Sequence, residues 1–177
     1  MLENNPLSIQ IVDKEGHTIG GNPAFINLFG TIPPPEFSIF DDLKNKSTEL
    51  GNLVSLVKKG EIVHLPDIYF NAHDTVAEAP DIPLWIRALI FPLNDSRGKP
   101  ERFVFMHENI TDSKIAEQEL IKAKEHAEES EKKFKEMAEL LPQIVFETDT
   151  EGKLTYVNKY AYKMTGYSEQ DSIIGIS

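Results

Sequence analysis

The chain has 177 residues, enough for one domain of ordinary size with roughly 60 residues to spare. Hydrophobic residues at 40%, with 10 Phe and 5 Tyr, argue for a packed core, while 27% charged residues require one strongly solvated segment. A formal net charge of −11 opposes nucleic-acid phosphates and anionic membrane surfaces, and the lack of cysteine rules out disulfides, thiolate metal sites, cysteine nucleophiles and cysteinyl-flavin chemistry.

The N-terminus, Met1 to Pro6, has neither a cationic start nor an apolar stretch of signal-peptide length, so a cytoplasmic protein is expected. The most apolar window, Pro83 to Leu93, is about half the length needed to span a bilayer and carries Arg87; it reads as a strand. No membrane segment is expected in this chain.

A repeat organises the sequence. Asp13 to Asn22 aligns without a gap on Asp149 to Asn158, and Gly30 falls on Gly166 in the same register. In each copy an apolar run (Ile9 to Val12; Ile144 to Phe146) meets an Asp-x-Glu-Gly turn and a second short run, which predicts a hairpin whose Gly takes a positive φ. A helix follows: Asn22 is suited to the N-cap, Pro23 to the first helical position and Gly30 to the left-handed stop.

Three prolines make Thr31 to Phe37 an extended loop, and Ser38 to Lys59 reads as short helices with Leu50, Leu53, Val54 and Val57 at helical spacing. Glu61 to Phe70, Leu84 to Leu93 and Arg102 to Ile110 read as strands, with a turn at Asp95 to Gly98; Asn71 to Pro83 is a loop without a clear pattern. Two strands, short helices, then three strands predict an α+β domain with an antiparallel sheet and helices on one face.

From Asp112 to Leu141 half the residues are charged and Gly and Pro are missing. Ala116, Leu120, Ala123, Ala127, Ser130, Phe134, Met137 and Leu141 recur at spacings of four and three, the heptad seam of a two-stranded coiled coil. A homodimer is therefore expected. Its seam is weak, because alanines and a serine bury little area. Pro142 ends the helix.

Several residues together resemble the PAS family of sensory domains: the first hairpin, the Asn22-Pro23-Ala24-Phe25 helix start, the strand Trp85 to Leu93 with its Gly98 turn, and Glu108-Asn109-Ile110-Thr111-Asp112-Ser113-Lys114. The last stretch is similar to the Asp-Ile-Thr signature by which many PAS domains pass from their final strand into a signalling helix, with Asn109 standing where the signature has Asp. The second copy looks closer to the family consensus than the first, at Tyr156-Val157-Asn158-Lys159 and Met164-Thr165-Gly166-Tyr167-Ser168.

The resemblance implies a PAS-like five-stranded antiparallel sheet cupped by short helices over residues 5–111, a coiled-coil signalling linker over 112–141, and the incomplete start of a second PAS domain over 142–177. It implies a sensory input module whose output domain, a histidine kinase or diguanylate cyclase, lies beyond Ser177. Asn109, Ile110, Thr111 and Asp112 form the expected signal exit. The rival expectation is a ligand-free scaffold for dimerisation or docking.

No nucleophile–base pair, phosphate loop or metal set is legible, so no catalytic residue is assigned and the chain is not expected to be an enzyme. His17, His64, His73, His107 and His126 are scattered, without the i, i+4 spacing of a helical metal site. Haem is disfavoured because His64 falls in an expected strand and His73 in a loop. His126 is followed by Ala127-Glu128-Glu129 and reads as a solvated helix residue.

Candidate pocket residues are Phe25, Phe29, Leu53, Val57, Trp85, Arg87 and Phe105, for a small-molecule ligand of unknown identity with no required cofactor. For the five apolar residues other than Trp85 the plainer alternative is filled core. Trp85 and Arg87 share one strand face and could offer an aromatic wall and a guanidinium; the plainer alternative, preferred here, packs Trp85 in the core and leaves Arg87 to solvent or to an acid of the linker. An isolated third of a second domain should pack poorly, leaving Tyr156, Val157 and Ile174 short of a core.

Overall fold

A computed structural model describes residue 3, residues 5–77 and residues 79–167. The chain divides into two compact units, Met1–Ala116 and Glu117–Ser177.

The first unit opens with β1 (Ser8–Val12) and β2 (Thr18–Gly21), paired antiparallel. Their turn is closed by Asp13, whose Oδ1 accepts from the backbone N–H groups of Glu15, Gly16 and His17. Gly16 takes φ 101°, in the left-handed region, and a Cβ there would lie 2.8 Å from Cδ2 of Phe40; only glycine suits the site. Helix α1 (Pro23–Phe29) starts as expected, with Asn22 capping the N–H of Phe25 and Gly30 in the left-handed stop.

The region read as short helices forms α2 (Ile39–Lys46) and α3 (Thr48–Lys58), each capped by a serine, Ser38 and Ser47. The expected strand over 61–70 is split into β3 (Val63–His64) and β4 (Ile68–Asn71). Pro66, which has no N–H to donate, stands between them, and both pieces pair with β5 (Pro83–Asn94). The last strand, β6 (Pro100–Asn109), pairs with β5 on one side and β1 on the other.

The sheet order is thus β2-β1-β6-β5, with β3 and β4 sharing the fifth place. It is an antiparallel sheet with short helices, an α+β architecture. Alternation along each strand sends Val12, Phe103, Phe105, Ala88 and Ile90 to the face under the helices, where they meet Phe40, Leu43, Val54 and Val57. Phe40 packs edge-on to Phe103 with centroids 5.2 Å apart.

Helix α4 (Thr111–Leu140) follows β6 directly and passes from the first unit into the second. The second unit then repeats the opening motif: β7 (Phe146–Thr148) pairs with β8 (Leu154–Val157), and α5 (Lys159–Thr165) follows, with Asn158 as N-cap and Gly166 as left-handed stop. Its hairpin and helix are formed, while Phe146 remains 59% exposed. Ile174 lies outside the described residues. Among those residues no helix is long and apolar enough to cross a membrane.

Candidate functional site

A cavity lies between the sheet and the helices of the first unit, with about 80 Å³ open to the centres of water molecules. That is space for about three waters. Phe25 and Phe29 of α1, Leu43 and Lys46 of α2, Ile68 and Phe70 of β4, Ile86 and Ala88 of β5 and Phe105 and His107 of β6 contribute to its wall, as does Gln10 of β1.

Ala72, Thr75 and Val76 close it from one side. They belong to the segment between β4 and β5, which has no sequence period. Asn71 Nδ2 donates to Asp81 Oδ1 at 2.6 Å and His73 Nδ1 lies 3.0 Å from the carbonyl of Ala79, so the segment is a closed loop. Its Pro80 packs on α1: a Cβ on Gly30 would fall 2.3 Å from Pro80 Cδ. Gly30 therefore serves both the helix stop and the seating of the loop.

Of the sequence candidates, Phe25, Phe29 and Phe105 line the cavity. Leu53 and Val57 do not; Val57 is fully buried in the core and Leu53 packs against it, because α3 presents this stripe to the sheet beyond the cavity. Trp85 and Arg87 are likewise corrected as pocket residues. The β5 register turns Ile86, Ala88 and Ile90 inward, and side chains alternate, so Trp85 and Arg87 stand on the opposite face. Trp85 is half-buried there and Arg87 exposed.

Sequence reading missed Gln10 and His107. The available signal was parity: Ser8 and Gln10 share their face of β1 with Val12, and His107 shares its face of β6 with Phe103 and Phe105. His107 contacts the rings of Phe25, Phe29 and Phe105 at centroid distances of 5.1–5.9 Å. Burial pushes its pKa down to about 4, opposed by a hydrogen bond with Ser8, so the ring is neutral at pH 7. Ser8 Oγ lies 3.2 Å from His107 Nδ1, and Gln10 Nε2 donates to Thr18 Oγ1 at 2.7 Å. The charged wall residues are paired with each other, Lys46 Nζ to Asp42 Oδ2 at 2.6 Å. Among the described residues no group of three His, Asp or Glu is arranged to hold a metal ion.

The second part of the site is the exit from β6. The N–H of Ile110 donates to the carbonyl of Trp85, and the N–H of Trp85 donates to Thr111 Oγ1, both at 2.9 Å. Asn109 Oδ1 accepts from the N–H of Thr111 at 3.0 Å. Ile110 is buried and Asp112 exposed. The first turn of α4 is tied down by an ion cluster: Lys114 Nζ meets Asp67 Oδ2 at 2.9 Å, Asp67 Oδ1 accepts from Arg87 Nε at 3.0 Å, and Arg87 reaches Glu108 at 3.6 Å. Lys114, followed by Arg87, holds the Asp67 carboxyl below its usual range. Lys114 also stands 5.6 Å over the Trp85 ring. Trp85 and Arg87 thus belong to the exit.

The seam residues Ala116, Leu120, Ala123, Ala127, Phe134 and Met137 are exposed in the single chain, Leu120 at 71% and Met137 at 60%. At the far end of α4, within the second unit, Asn158 Nδ2 donates to the carbonyl of Ala138 at 2.8 Å and Tyr156 Oη donates to Glu139 Oε1 at 3.0 Å.

A sequence model of the PAS domain family matches residues 132–177. Among solved structures the chain is similar to an RNA-binding light-oxygen-voltage receptor, with a TM-score of 0.55 and 15% identity, covering 70% of this chain and 35% of that one. It is also similar to a light-oxygen-voltage protein of Rhodobacter sphaeroides (TM-score 0.49, 13% identity, 62% of each chain) and to a PAS domain from Colwellia psychrerythraea (TM-score 0.47, 18% identity, 63% of this chain and 92% of that one). The chain spans about a third of the length of the RNA-binding receptor. No curated protein matches it. The chain has the α+β PAS fold, and residues 132–177 match the sequence model of the PAS domain family.

Proposed function

We propose that this chain is the cytoplasmic input module of a signal-transduction protein. Residues 5–111 sense a small ligand or a partner, residues 112–141 transmit the change as a dimeric coiled coil, and residues 142–177 begin a second PAS domain. The output domain, a histidine kinase or diguanylate cyclase of a two-component or related system, follows residue 177. The chain's cofactor is unknown, with none required and haem disfavoured, and its net charge of −11 disfavours nucleic acid as a partner.

The observation that carries this reading is the continuity of β6. The strand supplies Phe105 and His107 to the cavity and, three residues after His107, enters the exit where Ile110 and Thr111 bond to Trp85. A molecule filling the cavity displaces the strand, the displacement reaches the first turn of α4 through the Lys114–Asp67–Arg87 cluster, and a weak heptad seam can shift register at small cost.

A second reading, the ligand-free scaffold, is favoured by the outer sheet face, where Trp85, Leu89, Phe91 and Met106 are half-buried. Native mass spectrometry of gently purified protein separates the two. A dimer that retains a small molecule is the expected result, a ligand-free dimer favours the scaffold, and a ligand-free monomer that also fails to cross-link through a cysteine at Leu120 overturns both.

A further inference from the structure

Gln10 and His107 give the cavity a chemistry that the rest of its wall lacks. Each makes one side-chain hydrogen bond, to Thr18 and Ser8, and among the described residues Gln10 Oε1 and His107 Nε2 have no hydrogen-bond partner. Gln10 is 2% exposed and His107 8%. Both residues line the cavity, and none of the described side chains fully buries a polar atom without a partner, so their remaining polar atoms are left to the cavity space.

The internal repeat makes the same point. With Asp13 aligned on Asp149, Ser8 and Gln10 fall on Ile144 and Phe146. The second copy puts apolar side chains where the first puts a hydroxyl and an amide, so the hairpin accepts apolar residues there and the polarity belongs to the cavity.

The remaining wall limits what can enter. Phe25, Phe29, Phe70 and Phe105 offer flat apolar surfaces. Lys46 is held by Asp42 and lies 4.9 Å from the Phe70 ring centroid, leaving no unopposed charge among the described wall residues to receive an ion. A charged ligand would lose its hydration without gaining a counter-ion.

Resting on the reading of this cavity as a ligand site, we propose that it binds a neutral, planar single-ring compound whose edge carries a hydrogen-bond donor beside an acceptor. Gln10 Oε1 accepts from the donor. In the tautomer in which the Ser8 hydroxyl donates to Nδ1 of His107, 3.2 Å away, the ring offers Nε2–H to the acceptor. The two residues are diagonal neighbours across the β1–β6 ladder, Gln10 opposite Phe105 and Ser8 opposite His107, a spacing of roughly 7 Å that a single ring edge can bridge.

The test is a titration of the full chain, followed by NMR with labelled His and Gln side chains, using three single-ring probes: 2-pyridone, a neutral lactam; toluene, with no polar edge; and benzoate, a charged ring. The expected result is 2-pyridone binding about tenfold tighter than toluene, with the His107 ring and Gln10 amide signals shifting, and no binding of benzoate. In Gln10→Leu and His107→Phe the preference for 2-pyridone disappears, while retained toluene binding shows that the variants are folded. Benzoate binding as tightly as 2-pyridone, or a preference that survives both substitutions, overturns the proposed ligand class and leaves the cavity a ligand site. If none of the three probes binds the unaltered chain, the ligand-site reading itself falls.

Discussion

In β1–β2–α1 and in β7–β8–α5 corresponding atoms make corresponding bonds. Asn22 Oδ1 accepts from the N–H of Ile9 and of Phe25, and Asn158 Oδ1 accepts from Val145 and Ala161. Asn22 Nδ2 donates to the carbonyl of Leu7, and Asn158 Nδ2 to that of Gln143. Asp13 and Asp149 close the two turns in the same way. The surroundings differ. Strand β1 lies between β2 and β6 with four of its five residues buried, whereas among the described residues β7 pairs with β8 alone and all three of its residues are exposed. The motif is therefore held by its own hydrogen bonds, and its burial is supplied by the strands beside it.

The comparison can be broken most forcefully at the asparagines. Asn22→Ala leaves the backbone groups of Ile9, Phe25 and Leu7 without their partner and should cost the first unit about 3–4 kcal/mol, read by urea unfolding through the fluorescence of Trp85. Asn158→Ala should instead accelerate amide exchange at Val145 and Ala161 while leaving the Trp85 transition in place. A shift of that transition by Asn158→Ala would show that the copies are not independently held.

The next effect tests burial. Val12 is fully buried, so Val12→Ala should lower the stability of the first unit by about 2–3 kcal/mol. Phe146→Ala, in the exposed strand of the second copy, should cost less than about 0.5 kcal/mol despite its larger side chain. Equal costs would mean that β7 has a cover of its own.

The smallest effect is pH dependence. The pKa of His107 is about 4 in the folded unit against 6.5 for the free side chain, so the unfolded chain takes up the proton first as pH falls. Stability is then complete above pH 6.5 and declines toward pH 4, by about 2 kcal/mol between pH 7 and pH 5. His107→Phe should flatten that decline in urea midpoints. The second copy, residues 142–177, has no histidine and should show no such dependence over this range.

Much of the fold was legible because it is written locally. Asn22, Pro23 and Gly30 cap a helix whatever lies around it, the Asp-x-Glu-Gly turn carries its own hydrogen bonds, and the charged run of α4 has a helical composition from end to end. The site was less legible. Phe25, Phe29 and Phe105 were found as apolar positions on predicted elements, but the face of β5 could not be chosen: Trp85 and Ile86 are both apolar, and only the pairing of β5 with β4 and β6 settles which points inward. The loop between β4 and β5 has no period, so its place over the cavity was invisible.

By itself the sequence determined the elements, their order, the repeat and the solvated helix, since each depends on bonds and periodicities within a few residues. Tertiary structure alone decided that Gln10 and His107 share a cavity, that Trp85 and Arg87 belong with Lys114 and Asp67 at the exit, and that Leu53 and Val57 are packed core. These outcomes depend on strand register across residues far apart in the chain, and a shift of one residue exchanges the two faces of a strand.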